Sequence, residues 1–225
     1  MVACLRTIRY NSFMPQQPNI TREIEIKLDL ASFTNYLKLL GFLGQIEHQE
    51  NQQNSFFDTP DGKLAKAGWA LRVRAEKKQG LVTIKSIPAK PGLAVIRQEI
   101  ETVIPKRDAI DILNGQMDLM SLEIMPIDYI KNNFGVKQVE GLVKFDNLRQ
   151  KKLFKIEDSN YMLEIDKTEF SDGSNDYELE LELSDTGRID DVEVALRRLF
   201  SQLDIPFVRQ TESKFARALK KAGIH

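Results

Sequence analysis

Apolar and polar residues alternate with a period of two through much of this chain, and turn residues bound each alternating run. From 22 to 28, Glu23, Glu25 and Lys27 take one face while Ile24, Ile26 and Leu28 take the other, which predicts a strand. The pattern then becomes helical: Phe33, Leu37 and Leu40 share a stripe, with Ser32 placed to cap it and Gly41 to stop it. A second strand is expected over 46–58. Thr59-Pro60-Asp61-Gly62 then opens a turn and a short helix ending at Gly68. A hairpin over 69–76 and 81–86 follows, then a loop holding Pro88, Pro91 and Gly92, and a strand over 95–104. The stretch 108–133 reads as helical, with an interruption at Pro126. Strands over 141–156 and 161–170 flank the polar turn Glu157-Asp158-Ser159-Asn160, and a last strand covers 177–183. Amphipathic helices over 190–203 and 213–222 complete the chain.

These runs make eight strands interspersed with helices. Closure removes exposed strand edges, so the expected fold is α+β: a closed eight-stranded antiparallel β-barrel with helices packed outside. No fixed-period repeat or linker divides the chain. One domain over 22–222 is expected, preceded by residues 1–21 as a flexible leader.

Charge changes this picture, because like charges recur at i, i+2 on one strand face after another. Glu23 and Glu25 do so, as do Arg72 and Arg74, Glu99 and Glu101, Arg149 and Lys151, and Glu178, Glu180 and Glu182. Lys85 shares a face with Thr83, and Asp166 with Glu164. Paired carboxylates raise each other's pKa unless a cation neutralises them, and a hard divalent ion with oxygen ligands does so well. Paired Arg and Lys suit an anion with several phosphate oxygens. Alternation does not say which face is inside. A charged face can equally be solvated, although a solvated face commonly mixes signs for cross-strand pairing.

Bulk composition narrows the chemistry. Lys plus Arg number 32 against 33 for Asp plus Glu, so net charge gives no argument for nucleic acid or an anionic membrane. Cys4 is the only cysteine, and His48 and His225 are the only histidines, which excludes an intrachain disulfide and a Cys/His zinc site. No apolar run approaches the roughly 18 residues that span a bilayer. A soluble, cytoplasmic protein without a membrane or nucleic-acid partner is expected. Oligomeric state is not readable.

Glu23-Ile24-Glu25-Ile26-Lys27 has the form E-x-E-x-K, and further short motifs follow it in order. They are Phe57-Asp58-Thr59, Leu71-Arg72-Val73-Arg74, Thr83-Ile84-Lys85, Arg97-Gln98-Glu99-Ile100-Glu101, Arg149, Asp166, Glu178-Leu179-Glu180 and Ser213-Lys214-Phe215. Together they resemble the CYTH, or triphosphate tunnel metalloenzyme, superfamily over nearly the whole chain. The resemblance implies a barrel with its charged face inward, a divalent metal (Mg²⁺ or Mn²⁺), and a small triphosphate substrate. Glu23, Glu25, Asp166, Glu178 and Glu180 would then serve the metal. Arg72, Arg74, Lys85, Arg149, Lys151 and Lys214 would hold phosphates, and Glu23, Glu25, Lys27 and Lys85 would take part in catalysis. One departure is Asn147, where many members carry a basic residue; Lys144 or Lys151 could supply that contact. The expected reaction is hydrolysis of inorganic triphosphate to diphosphate and phosphate. Alternatives are a class IV adenylate cyclase, a thiamine or RNA triphosphatase, and a non-catalytic polyphosphate- or nucleotide-binding module. Trp69, Phe56 and Phe57 read as core aromatics rather than base-stacking platforms.

Overall fold

A computed structural model describes residues 20–87 and 94–224. Its strands are β1 (Thr21–Asp29), β2 (His48–Asp58), β3 (Trp69–Ala75), β4 (Gly80–Ser86), β5 (Ala94–Ile104), β6 (Glu140–Ile156), β7 (Ser159–Phe170), β8 (Asn175–Glu182) and the two-residue β9 (Val208–Arg209). The helices are α1 (Phe33–Leu43), α2 (Lys63–Lys66), α3 (Lys106–Leu113), α4 (Met125–Phe134), α5 (Ile189–Gln202) and α6 (Lys214–Lys221). Hydrogen bonding orders the strands β5-β4-β3-β2-β6-β7-β8-β1-β9, and β5 also pairs with β1. Eight strands thus close on themselves, giving the α+β antiparallel barrel that the alternation predicts. The expected leader falls mostly on residues 1–19, and the Pro88–Gly92 loop falls on 88–93. Both lie outside the described residues.

Two compact units emerge, and β2, β5 and β6 contribute to both. The first contains Asn54–Ile87 and Gln98–Leu142. Its core gathers Leu71 and Val73 of β3, Val82 and Ile84 of β4, Ile100 and Ile104 of β5, and Ile112, Ile127 and Ile130 from α3 and α4. Trp69 belongs to this core, with its ring against Tyr129 and Phe134, and Phe57 packs on it, so these aromatics are structural. Gly80 lets α3 approach β4: a Cβ there would lie 2.4 Å from the Ala109 Cβ.

The second unit contains Arg22–Gln53, 94–97 and 143–224. The alternate residues Ile24, Ile26 and Leu28 of β1 meet Leu163 and Ile165 of β7 and Leu179 and Leu181 of β8, with Leu39 of α1 and Leu196 and Phe200 of α5. Burying this apolar face supplies the main favourable term for the unit.

Element ends differ from the sequence reading where local hydrogen bonds decide. Ser32 does cap α1, its hydroxyl accepting from the Asn35 N–H. The helix runs through Gly41, however, and ends at Gly44, whose φ of 68° and N–H bond to the Leu40 carbonyl close it. Pro126 falls in the first turn of α4, where its missing N–H costs nothing, so the helical stretch is two helices with a 3₁₀ turn at Leu119–Ser121 between them. The turn joining β6 and β7 shortens to Glu157-Asp158, with Glu157 at φ 52°.

Candidate metal and phosphate site

Strand register in the second unit builds a charged group from residues far apart in sequence. One row across the sheet reads Arg149, Asp166, Glu178 and Asp29; the next reads Lys151, Glu164, Glu180 and Lys27. Asp166 thus faces Glu178 directly, and Glu164 faces Glu180, pairings that destabilise a sheet unless cations offset them. Both faces of β1, β7 and β8 are buried along this stretch, so the charged face is not the solvated one. Asp166, Glu178 and Glu180 are 0%, 1% and 5% exposed, and each offers an oxygen within 4.8 Å of the others.

Cations surround these carboxylates. Arg149 grips Asp166 through two nitrogens, at 2.9 and 2.6 Å, and also reaches Glu164 and Glu180. Lys27 joins Glu180 to Glu25, the latter at 3.3 Å. Lys214, the first residue of α6, lies 2.8 Å from Asp166 and 3.0 Å from Glu180 and also contacts Glu178. Arg217, one turn further along α6, bonds Glu178 at 2.7 Å and Asp176 at 2.8 Å. Glu23 and Glu25 share Arg97 at 2.6 Å each, which places them beside the trio but outside it. Lys151 is the most open member, paired with Glu164 at 2.6 Å.

Burial raises the Asp166 pKa, but Arg149 and Lys214 outweigh it and hold the carboxyl well below the usual range. At Glu180 burial is likewise overcome, by Lys27 and Arg149, and the pKa is again lowered. Lys27 sits above its ordinary value because Glu180 and Glu25 outweigh its burial. Lys214 moves the other way: burial lowers its pKa, Lys27 and Arg149 push in the same direction, and Asp166 opposes them.

The first unit holds a different group. Arg72 donates to Thr83 at 3.2 Å, Thr83 donates to Glu101 at 2.7 Å, and these three form one row across β3, β4 and β5. Lys85 meets Glu99 at 3.0 Å, and Arg74 donates to Asn54 at 2.8 Å. Among the described residues the buried Nε atoms of Arg72, Arg188 and Arg217 have no hydrogen-bond partner, although Arg217 Nε stands 2.8 Å from an Asp176 oxygen; that of Arg72, whose terminal nitrogen lies 3.6 Å from Glu101, is open to an anion acceptor.

Two motif positions prove structural. Asp58 is buried and accepts the N–H groups of Thr59, Leu64 and Ala65, thereby capping α2. Asn147, at the position where the resemblance leads one to expect a basic residue, donates to Gln52 at 3.0 Å and accepts from Thr168 at 2.8 Å, while Lys144 and Glu182 are exposed. Arg97 and Arg217 join the charged group although the sequence motifs carry no role for them. Arg97 alternates with Glu99 and Glu101 on β5, and Arg217 follows Lys214 by three residues, so each stood on a legible face.

The structure is an antiparallel barrel with a buried carboxylate trio among cations, an arrangement with the donor set for a metal ion. The chain belongs to the CYTH domain family, whose model matches residues 21–218, through both compact units. Among curated proteins none matches. Solved structures do. HpAC1 from Hippeastrum, described as a candidate adenylyl cyclase with a dominant triphosphatase activity, is 26% identical with a TM-score of 0.78, covering 90% of this chain and 97% of its own. A candidate adenylate cyclase from Bacillus halodurans is 22% identical with a TM-score of 0.64, over 87% and 97% of the two chains. PH1819 from Pyrococcus horikoshii is 16% identical with a TM-score of 0.56, over 88% and 99%.

Proposed function

We propose that this protein is a divalent-metal-dependent triphosphatase whose preferred substrate is inorganic triphosphate, released as diphosphate and phosphate. The observation that carries the proposal is the convergence of Asp166, Glu178 and Glu180, buried and within 4.8 Å of one another, amid Lys27, Arg149 and Lys214. Three buried carboxylates placed together need positive charge to hold them, and an anion binder gains nothing from them. A hard ion with oxygen ligands does gain, so the donor set fits Mg²⁺ or Mn²⁺. The dominant triphosphatase activity of the Hippeastrum protein supports the same reading.

Asp166, Glu178 and Glu180 would hold the metal, with Glu23 and Glu25 orienting the attacking water beside it. When bound, Mg²⁺ or Mn²⁺ supplies a Lewis acid for phosphate oxygens and favours deprotonation of water. Water adds to the terminal phosphorus as the bond to the bridging oxygen breaks. Lys27, Arg149 and Lys214 offset the charge that moves to the departing diphosphate. Arg72, Arg74 and Lys85 of the first unit form a second set of cations suited to phosphate oxygens, the open Arg72 Nε among them. Lys151, half-exposed and paired with Glu164, has a peripheral share.

A direct test measures phosphate release from inorganic triphosphate, ATP and thiamine triphosphate, with Mg²⁺, with Mn²⁺ and with EDTA. Inorganic triphosphate should turn over fastest and EDTA should abolish turnover. Cyclic AMP as the main product from ATP would replace this reading with a cyclase. Inactivity on every substrate would leave a binding module.

A further inference from the structure

We propose that Lys214 is an internal counter-cation that exchanges with the divalent metal, so that loading the metal and freeing the Lys214 ammonium are a single step. The proposal rests on the reading of Asp166, Glu178 and Glu180 as metal ligands. Among the described residues Lys214 alone touches all three, at 2.8 Å from Asp166 Oδ2, 3.0 Å from Glu180 Oε1, and in contact with Glu178 Oε1. An ammonium has three N–H donors, and three carboxylates use all of them. Lys27 reaches one of the trio, Arg149 two and Arg217 one.

A divalent ion binds carboxylate oxygens at about 2.0–2.2 Å, inside the space that the Lys214 nitrogen now holds against those same atoms. Two cations that close repel strongly where solvent is excluded, so one displaces the other. The position of Lys214 makes such a move local. It opens α6 directly after Ser213, whose hydroxyl caps the helix by accepting the Ala216 N–H. Arg217 stays tied to Asp176 and Glu178, so α6 keeps its place while the lysine side chain swings away. The released ammonium becomes available to a phosphate oxygen once the metal is seated. Metal loading therefore precedes the phosphate grip of this residue.

The test titrates Mn²⁺ into the full chain without substrate, by calorimetry or by the paramagnetic resonance signal of free Mn²⁺, in wild type, Lys214→Met and Lys214→Arg. Removing the competing charge in Lys214→Met should tighten Mn²⁺ binding about tenfold or more. Lys214→Arg keeps the charge and should resemble wild type. A second readout needs no variant: acylation of wild-type Lys214 by a limiting amine reagent, mapped by mass spectrometry, should rise as Mn²⁺ is added. If wild type binds Mn²⁺ but Lys214→Met binds no tighter, or Lys214 labelling does not change, the exchange is overturned and the metal reading stands. If no form binds Mn²⁺, the metal reading falls and the exchange falls with it.

Discussion

The two compact units carry charge in opposite ways. In the second, carboxylates face carboxylates across β7 and β8, and Lys27, Arg149, Lys214 and Arg217 are paired with them. In the first, the row Arg72–Thr83–Glu101 alternates base, hydroxyl and acid, and among the described residues the Arg72 Nε has no hydrogen-bond partner. One arrangement sets like charges side by side and holds them with a shell of cations, and the other links base to acid through a hydroxyl. The carboxylates proposed for the metal lie in the second unit and the Arg72 guanidinium proposed for phosphate lies in the first, so substitutions at the two should act differently.

The largest separation is expected for Glu180→Ala, which removes the carboxylate shared by Lys27, Arg149 and Lys214. Turnover should fall by about 10³-fold and Mn²⁺ affinity should drop with it, whereas Glu101→Ala in the first unit should stay within about tenfold. Steady-state kinetics and Mn²⁺ titration on both variants check this. Next comes Arg72→Ala: KM for triphosphate should rise about 10- to 100-fold with Mn²⁺ affinity unchanged, since only a phosphate contact is lost.

Acid should act on the second unit first. Asp166 and Glu180 have folded-state pKa values below their unfolded ones, so their stabilisation is present above the ordinary carboxylate pKa of about 4. It is lost as pH falls from there toward the depressed folded values. Thermal melts in EDTA should show Tm dropping below about pH 4, and Glu180→Gln should flatten that drop. The smallest effect is expected for Lys151→Ala, whose partly exposed pair with Glu164 is of a kind worth about 0–1 kcal/mol; kcat/KM should change less than about threefold.

Strands such as β1, β3, β7 and β8 were legible because each buries apolar residues with a period of two, and β1 shows both the alternation and its charged counterpart; β2 instead buries the polar Glu50, Gln52 and Asn54. Helix ends were less so: Gly41 reads as a stop, yet the helix is closed three residues later by the Gly44 N–H on the Leu40 carbonyl. At the site, periodicity identified the charged faces of β1, β6, β7 and β8 but not their burial, because a period of two has no inside. Register was hidden as well. Nothing in the chain order of Arg149, Asp166 and Glu178 shows that they occupy one row, nor that Glu23 and Glu25 would turn to Arg97. Asp58 and Asn147 stand at motif positions for reasons of capping and neutral hydrogen bonding. Arg217 went unassigned because its partner Glu178 is distant in sequence.

Crystals grown with Mn²⁺ and examined by anomalous scattering would test the assignment of the metal most directly. An anomalous peak coordinated by oxygens of Asp166, Glu178 and Glu180 is the expected result. Bound Mn²⁺ found only away from these three carboxylates would contradict it.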